Sequence, residues 1–123
     1  MERVRFMTIG DDSDLVVSFA IPAEDPSDVK SLILLRTPKH ERFLYPWEQG
    51  VNVSHDDFLD EDGEDFDILQ SIELERGAVR ITTRRRQYDL DIQNVDRDQI
   101  RRAAEILRRM NFDQSFGLKI GAI

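Results

Sequence analysis

The sequence predicts an α+β protein: a mostly antiparallel, curved sheet or small barrel of about seven strands, followed by one C-terminal amphipathic helix. Three observations predict this fold class. Short runs with strand-like alternation or continuous apolar residues recur along residues 3–92. Clusters of turn-forming residues separate these runs. One stretch with helical periodicity comes after them, and strands followed by a helix are typical of α+β folds with antiparallel sheets.

The chain is predicted to begin with a β-hairpin. Residues 3–9 and 15–21 both alternate between apolar and polar side chains, and residues 10–14 between them are rich in Gly, Asp and Ser. In the first run Val4 and Phe6 are expected on one face. Four residues of the second run are expected to share its buried face: Leu15, Val17, Phe19 and Ile21.

Three further strands are expected before residue 55. Residues 22–28 contain two prolines and three acids, so they should form a loop. Residues 31–36 form a continuous apolar run that predicts a strand covered on both faces. Residues 42–45 and 51–54 predict two shorter strands.

Gly77 predicts the register of the strands that flank it, in residues 68–92. Arg76 and Gly77 are predicted to form a two-residue hairpin loop, in which Gly77 takes a positive φ. A second turn at Arg84 and Arg85 would continue the same sheet. The two turns together predict these cross-strand pairs: Leu74–Val79, Ile72–Ile81, Glu73–Arg80, Ile81–Tyr88, Val79–Leu90 and Arg80–Asp89.

The helix is predicted over residues 96–111, with Asp96 as its N-cap and Asn111 closing it in the left-handed conformation. Its apolar stripe contains Ile100, Ala103, Ala104, Leu107 and Met110. Residues 116–120 then alternate, which predicts a last strand or a tail packed on the sheet.

We expect residues 1–123 to form a single domain, since no internal repeat or linker divides them. The order of elements is similar to that of the pleckstrin-homology-like barrel. This is an analogy of element order, not a sequence match, and a fold by itself does not give a function.

Composition excludes several classes of site. The chain has no cysteine, which excludes disulfides, thiolate metal sites and cysteine nucleophiles. No apolar run is long enough to cross a membrane, and residues 1–5 do not resemble a secretory signal. We therefore expect a cytoplasmic protein that needs no cofactor.

The net charge of −8 is concentrated in residues 56–67, which we call the acidic stretch. It contains eight carboxylates and no base, whereas the remaining chain has 17 acids and 17 bases. Its spacing does not fit an EF-hand, because Phe58 and Leu69 occupy the first and last ligand positions. Two interpretations stay open: a solvated loop, or a docking site for a basic partner through Asp60, Glu61, Asp62, Glu64 and Asp65.

Three aromatic residues recur at every second position: Phe43, Tyr45 and Trp47. Aromatic residues at this spacing are more often part of a core. The charged residues and Pro46 around them favour a partly exposed patch instead. Tyr45 and Trp47 are therefore included in the candidate binding site.

The two histidines, His40 and His55, carry the alternative hypothesis. With nearby aspartates they would serve a metal-dependent or His/Asp hydrolase of unknown substrate, although no metal-ligand spacing supports it. Nucleic acid is not expected as a partner, because the acidic stretch would repel phosphate. A membrane surface is not expected as a partner either, because the aspartates of residues 10–14, in the first hairpin loop, would repel anionic lipid headgroups.

The sequence therefore favours a small non-catalytic module that binds a basic protein. An acidic inhibitor or immunity-type protein is one concrete form of such a module. Neither a catalytic residue nor a metal ligand is assigned, and the oligomeric state does not follow from the sequence.

Overall fold

Nine strands, one 3-10 helix and one α-helix form the described part of the chain. The computed structural model describes residues 2–12, 14–25, 27–45, 49–56 and 67–121. The 3-10 helix spans Pro38–Phe43, and the α-helix, α1, spans Arg97–Met110. The strands are β1 (Glu2–Arg3), β2 (Phe6–Asp11), β3 (Leu15–Pro22), β4 (Val29–Arg36), β5 (Asn52–His55), β6 (Asp67–Glu75), β7 (Ala78–Thr83), β8 (Gln87–Asp91) and β9 (Gly117–Ile120).

The strands form one curved sheet in the order β1-β8-β7-β6-β5-β4-β3-β2, with β9 also paired to β6. β1 pairs with β8 and β9 with β6 in parallel, and the other pairs are antiparallel. The N-terminal segment links both ends of this order. The Val4 amide donates to the Asp91 carbonyl in β8, and the Arg5 amide donates to the Ala20 carbonyl in β3, both at 2.8 Å.

The concave inner face of the sheet holds the core, and α1 covers it. Leu15, Val17, Phe19 and Ile21 are all buried there, as alternation predicted. The predicted stripe of α1 is buried in the same cluster, together with Ile106. The α+β class, the mostly antiparallel curved sheet and the C-terminal helix are thus confirmed, with nine strands rather than about seven.

The predicted register of β6, β7 and β8 is confirmed at every pair. Gly77 has a φ of 83°, the conformation that its place in the loop requires. Arg80 and Asp89 form an ion pair across the outer face, with Nε and Oδ1 2.8 Å apart. This contact raises the pKa of Arg80 and lowers that of Asp89.

The strand predicted at residues 42–45 is wrong. The chain instead forms the 3-10 helix, which begins at Pro38. Proline suits the first turn of a helix because its missing N–H has no partner there in any case. The apolar residues of this segment face away from the core: Phe43 is 73% exposed and Tyr45 is 63% exposed.

The predicted shared face of Val4 and Phe6 is also wrong. Val4 is fully buried, but Phe6 is 53% exposed and Met7 takes the inward position. The cause is the switch of partner between β8 and β3 at Val4 and Arg5, which interrupts the strand and shifts the alternation by one residue.

The ends of α1 differ in how well they were predicted. The Asp96 carboxylate accepts a hydrogen bond from the Asp98 amide at 2.9 Å, so the N-cap is confirmed. Asn111 has a φ of −95° and not the left-handed conformation, which Gln114 adopts instead with a φ of 56°. Residues 117–120 form β9, which confirms the expected last strand.

Candidate functional site

The described residues of the acidic stretch are its two ends, Asp56, which directly follows β5, and Asp67 in β6. The Asp56 carboxylate accepts a hydrogen bond from the Ser31 amide at 2.9 Å, beside the strand pair β4–β5. Asp67 opens β6, and its carboxylate accepts from the Thr83 hydroxyl at 2.7 Å and from the Arg85 amide at 3.3 Å. Because Val53 in β5 pairs with Asp67, both ends of the stretch are held at one end of the sheet.

The five acidic residues assigned to docking lie outside the described residues: Asp60, Glu61, Asp62, Glu64 and Asp65. Their role stays a prediction. Asp56 is exposed, as expected for a solvated acidic residue. Asp67, the last residue of the acidic stretch, belongs to β6 and not to a solvated loop. Its carboxylate accepts hydrogen bonds from Thr83 and Arg85.

A basic turn lies at the same end of the sheet. Residues 84–86 are all arginine and connect β7 to β8. The turn is closed by the Thr83 amide, which donates to the Arg86 carbonyl at 2.8 Å, and by the Thr83 hydroxyl, which accepts from the Arg86 amide at 2.9 Å. Asp67 therefore fixes one end of the acidic stretch directly against the basic turn.

His55 lines a shallow depression of about 380 Å³ close to this turn. Its ring is stacked on that of Tyr88, with 5.6 Å between ring centroids and 6° between planes, and the residue is 7% exposed. The other lining residues are Glu2, Arg86, Gln87, Asp89 and Leu90. The two histidines belong to different elements. His40 is in the 3-10 helix that follows β4, and His55 is in β5, where it pairs with Leu32 of β4.

The described side chains form no metal site of the kind that the hydrolase hypothesis would use. No group of three or more His, Asp or Glu residues able to hold a metal ion occurs among residues 2–12, 14–25, 27–45, 49–56 and 67–121. The ring of His55 stacks on that of Tyr88. The hydrolase stays a hypothesis.

Exposed aromatic residues mark the opposite end of the β4–β5 ladder. Phe43 and Tyr45 belong to the connection between β4 and β5 and are 73% and 63% exposed. Phe112 follows α1 and is 60% exposed. The guanidinium of Arg42 lies over the Phe43 ring, 4.8 Å from its centroid. Trp47, the other aromatic residue assigned to binding, lies outside the described residues.

Arg36 is a buried residue in contact with one of these exposed aromatic residues, Phe112. It is the last residue of β4 and is only 1% exposed. Its guanidinium lies 4.3 Å from the centroid of Phe112 and donates to the Met110 carbonyl at 2.6 Å. Three further side chains accept its remaining hydrogen bonds: Glu41, Asp113 and Ser115. Arg36 thus ties β4, the 3-10 helix and the end of α1 together.

The ionisation of this cluster follows from its contacts. Burial opposes the charge on Arg36, but hydrogen bonds to Asp113 and Glu41 outweigh burial and raise its pKa. The hydrogen bond from Arg36 lowers the pKa of Asp113 to about 2, with a further contribution from Ser115. Both groups are therefore charged at neutral pH.

Sequence reasoning missed Arg36 as a structural centre, although a signal was present. Strand alternation places Arg36 on the same face as Leu32 and Leu34, which are both fully buried. A charged residue at an inward position requires ionic partners. Those partners come from distant segments, so only the tertiary structure identifies them.

No described helix is long and apolar enough to span a membrane. Comparisons of the chain with protein-family models, with curated proteins and with solved structures find no match. The functional argument therefore depends on the geometry and charge of the chain itself.

Proposed function

We propose that the protein is a small non-catalytic binding module that holds a basic protein partner in the cytoplasm, as an acidic inhibitor or immunity-type protein does. The acidic stretch is the docking site in this proposal. The observation that carries it is the anchoring of Asp56, which directly follows β5, and of Asp67, the first residue of β6, at one end of the sheet.

Charge distribution supports a basic partner. Eight carboxylates lie in the acidic stretch, while acids and bases balance over the remaining chain. These carboxylates are dense along the chain, and the two described residues of the stretch, Asp56 and Asp67, lie at the same end of the sheet. A concentrated field of this kind raises the rate of encounter with oppositely charged proteins.

The exposed aromatic residues supply the second part of the proposed surface. Tyr45 precedes β5 and the acidic stretch follows it, and β5 has four residues, or about 13 Å at 3.3 Å per residue. A standard interface covers about 800 Å² on each partner, or about 30 Å across, which exceeds the length of β5 and would let one partner contact both segments. Aromatic side chains such as Tyr45 and Trp47 would then be buried on binding and slow dissociation.

The direct experiment is affinity capture from the source cytoplasm with three forms of the protein. The test variant carries Asp60→Asn, Asp62→Asn and Asp65→Asn. The control carries the same change in charge at exposed positions elsewhere: Asp12→Asn, Glu24→Gln and Glu105→Gln.

The proposal expects a basic protein that the parent and the control retain at low salt and that the test variant loses. Retention by all three forms, or loss from both variants alike, would show that the acidic stretch has no special role in binding.

A further inference from the structure

The convex outer face of β2–β5 carries no charged side chain, although 34% of the residues in the chain are charged. We call this surface the neutral face. Its residues point away from the core on four adjacent strands and the start of β6. They are Phe6, Thr8, Gly10, Val16, Ser18, Ala20, Ser31, Ile33, Leu35, Asn52, Ser54 and Ile68.

The register shows that these residues share one face. Leu35 pairs with both Val16 and Asn52, and Asn52 pairs with Ile68, which forms a continuous row across the sheet. Ala20 and Ile68 are 5% and 6% exposed, yet neither belongs to the core cluster under α1. They point to the outer face instead, where Gly50 lies beside Ile68.

The outer face of β6–β8 is different, which makes the neutral face specific to one half of the sheet. Glu73, Arg80 and Asp89 form a charged row there. Among the described elements, α1 packs only on the inner face, where its buried residues join the core. The neutral face is thus not covered by a described helix or strand.

We propose that the neutral face binds a second copy of this chain. Two molecules that each carry a net charge of −8 repel one another, and the repulsion is smallest where neither presents a charge. The carboxylate of Asp56 lies at the border of this face, hydrogen-bonded to the Ser31 amide, so the face itself offers a basic partner little attraction. A two-fold interface, in contrast, needs a surface that complements itself.

The β2 strand shows how such a surface complements itself. Phe6, Thr8 and Gly10 are the three residues of β2 that point outward. Phe6, at one end of this row, is 53% exposed. Gly10, at the other end, has no side chain and so leaves a gap. A two-fold axis that crosses β2 at Thr8 places Phe6 of each copy over Gly10 of the other. Thr8 then lies against Thr8 of the second copy.

The size of the neutral face predicts a weak dimer. Four strands and about five residues along each cover roughly 300 Å², which is less than half of a standard interface on one partner. Dimerisation should therefore depend on protein concentration. Added salt should strengthen it, because screening reduces the repulsion between the two acidic molecules. Binding of a basic partner to the acidic stretch should respond to salt in the opposite direction.

Sedimentation equilibrium over a range of protein and salt concentrations tests this proposal. Thr8→Arg and Thr8→Asp place equal charges against each other at the axis, so both should raise the dimer dissociation constant by more than about tenfold. Phe6→Ala should also raise it. Thr82→Arg adds the same charge on the outer face of β7 and should leave the constant nearly unchanged.

Thr8 and Phe6 are exposed, so these variants are expected to fold, and their thermal unfolding should match that of Thr82→Arg. A parent protein that stays monomeric at every concentration and salt would overturn the proposal. So would a dimer that tolerates both Thr8 variants, or one that only the positive charge disrupts.

Discussion

Arg36 and Glu41 form a two-point ion pair where β4 ends, with Nε 2.5 Å from Oε1 and Nη2 2.9 Å from Oε2. Arg36 is 1% exposed and Glu41 is 9% exposed. The planar guanidinium matches the two carboxylate oxygens, which a single ammonium group cannot do. This pair therefore holds the 3-10 helix, and the exposed aromatic residues near it, against the end of the sheet.

Arg36→Lys should lower the free energy of unfolding by about 2–4 kcal/mol, because it breaks the fork and leaves buried acceptors without partners. Chemical denaturation at neutral pH measures this loss. Arg80→Lys is the matched control, since Arg80 also pairs with a carboxylate but is exposed. Equal effects of the two substitutions would show that Arg36 is not a structural centre.

Asp113→Asn should destabilise the protein in a pH-dependent way. The pKa of Asp113 is about 2 in the folded protein. It is about 3.9 in an unfolded chain. A carboxylate with a lowered pKa stabilises the fold above its unfolded pKa, and that contribution disappears as the pH falls through the folded pKa.

We expect Asp113→Asn to cost about 1 kcal/mol at pH 7, a small value because the carboxylate is partly exposed and screened. The difference from the parent should shrink between about pH 4 and pH 2. Urea denaturation at both ends of this range checks it. A difference that is constant with pH would mean that the Arg36 contact does not depend on the charge of Asp113.

Leu107→Ala should lower the free energy of unfolding by about 2–4 kcal/mol through lost burial and the cavity left behind. Leu107 is 1% exposed and lies in the core between α1 and the sheet. Arg108→Ala, on the exposed face of the same helix, should have little effect. A Leu107 variant as stable as the parent would contradict the packing of α1 on the inner face.

Asp96→Ala should cost about 1 kcal/mol, because the Asp98 amide loses the oxygen that caps it. Asp96→Ser keeps a capping oxygen and should restore most of the loss. Thermal unfolding of the two variants side by side gives the comparison.

The parts of the fold that depend on local chemistry could be predicted from the sequence. Gly77 determined a hairpin loop, and that loop determined the register of Glu73, Arg80 and Asp89. Asp96 and the apolar stripe likewise located α1. In each case the turn or cap and the pattern of apolar residues agree, and nothing distant overrides them.

The parts that depend on distant contacts could not be predicted. Phe6 faces outward because the preceding residues pair with both β8 and β3, and no local pattern reveals this change of partner. The exposure of Phe43 follows from the 3-10 helix, which Arg36 holds through Glu41. The roles of Trp47 and the central acidic residues stay predictions, because they lie outside the described residues.

The central claim, that the acidic stretch is a docking site, is tested most directly by the salt dependence of the association rate with the captured basic partner. The parent and the control variant (Asp12→Asn, Glu24→Gln, Glu105→Gln) should associate fast at low salt, and their association rates should fall steeply as salt is added. The Asp60→Asn, Asp62→Asn, Asp65→Asn variant should associate about tenfold or more slowly and depend less on salt. An association rate that is equal in the variant and the control, with equal salt dependence, would contradict the claim.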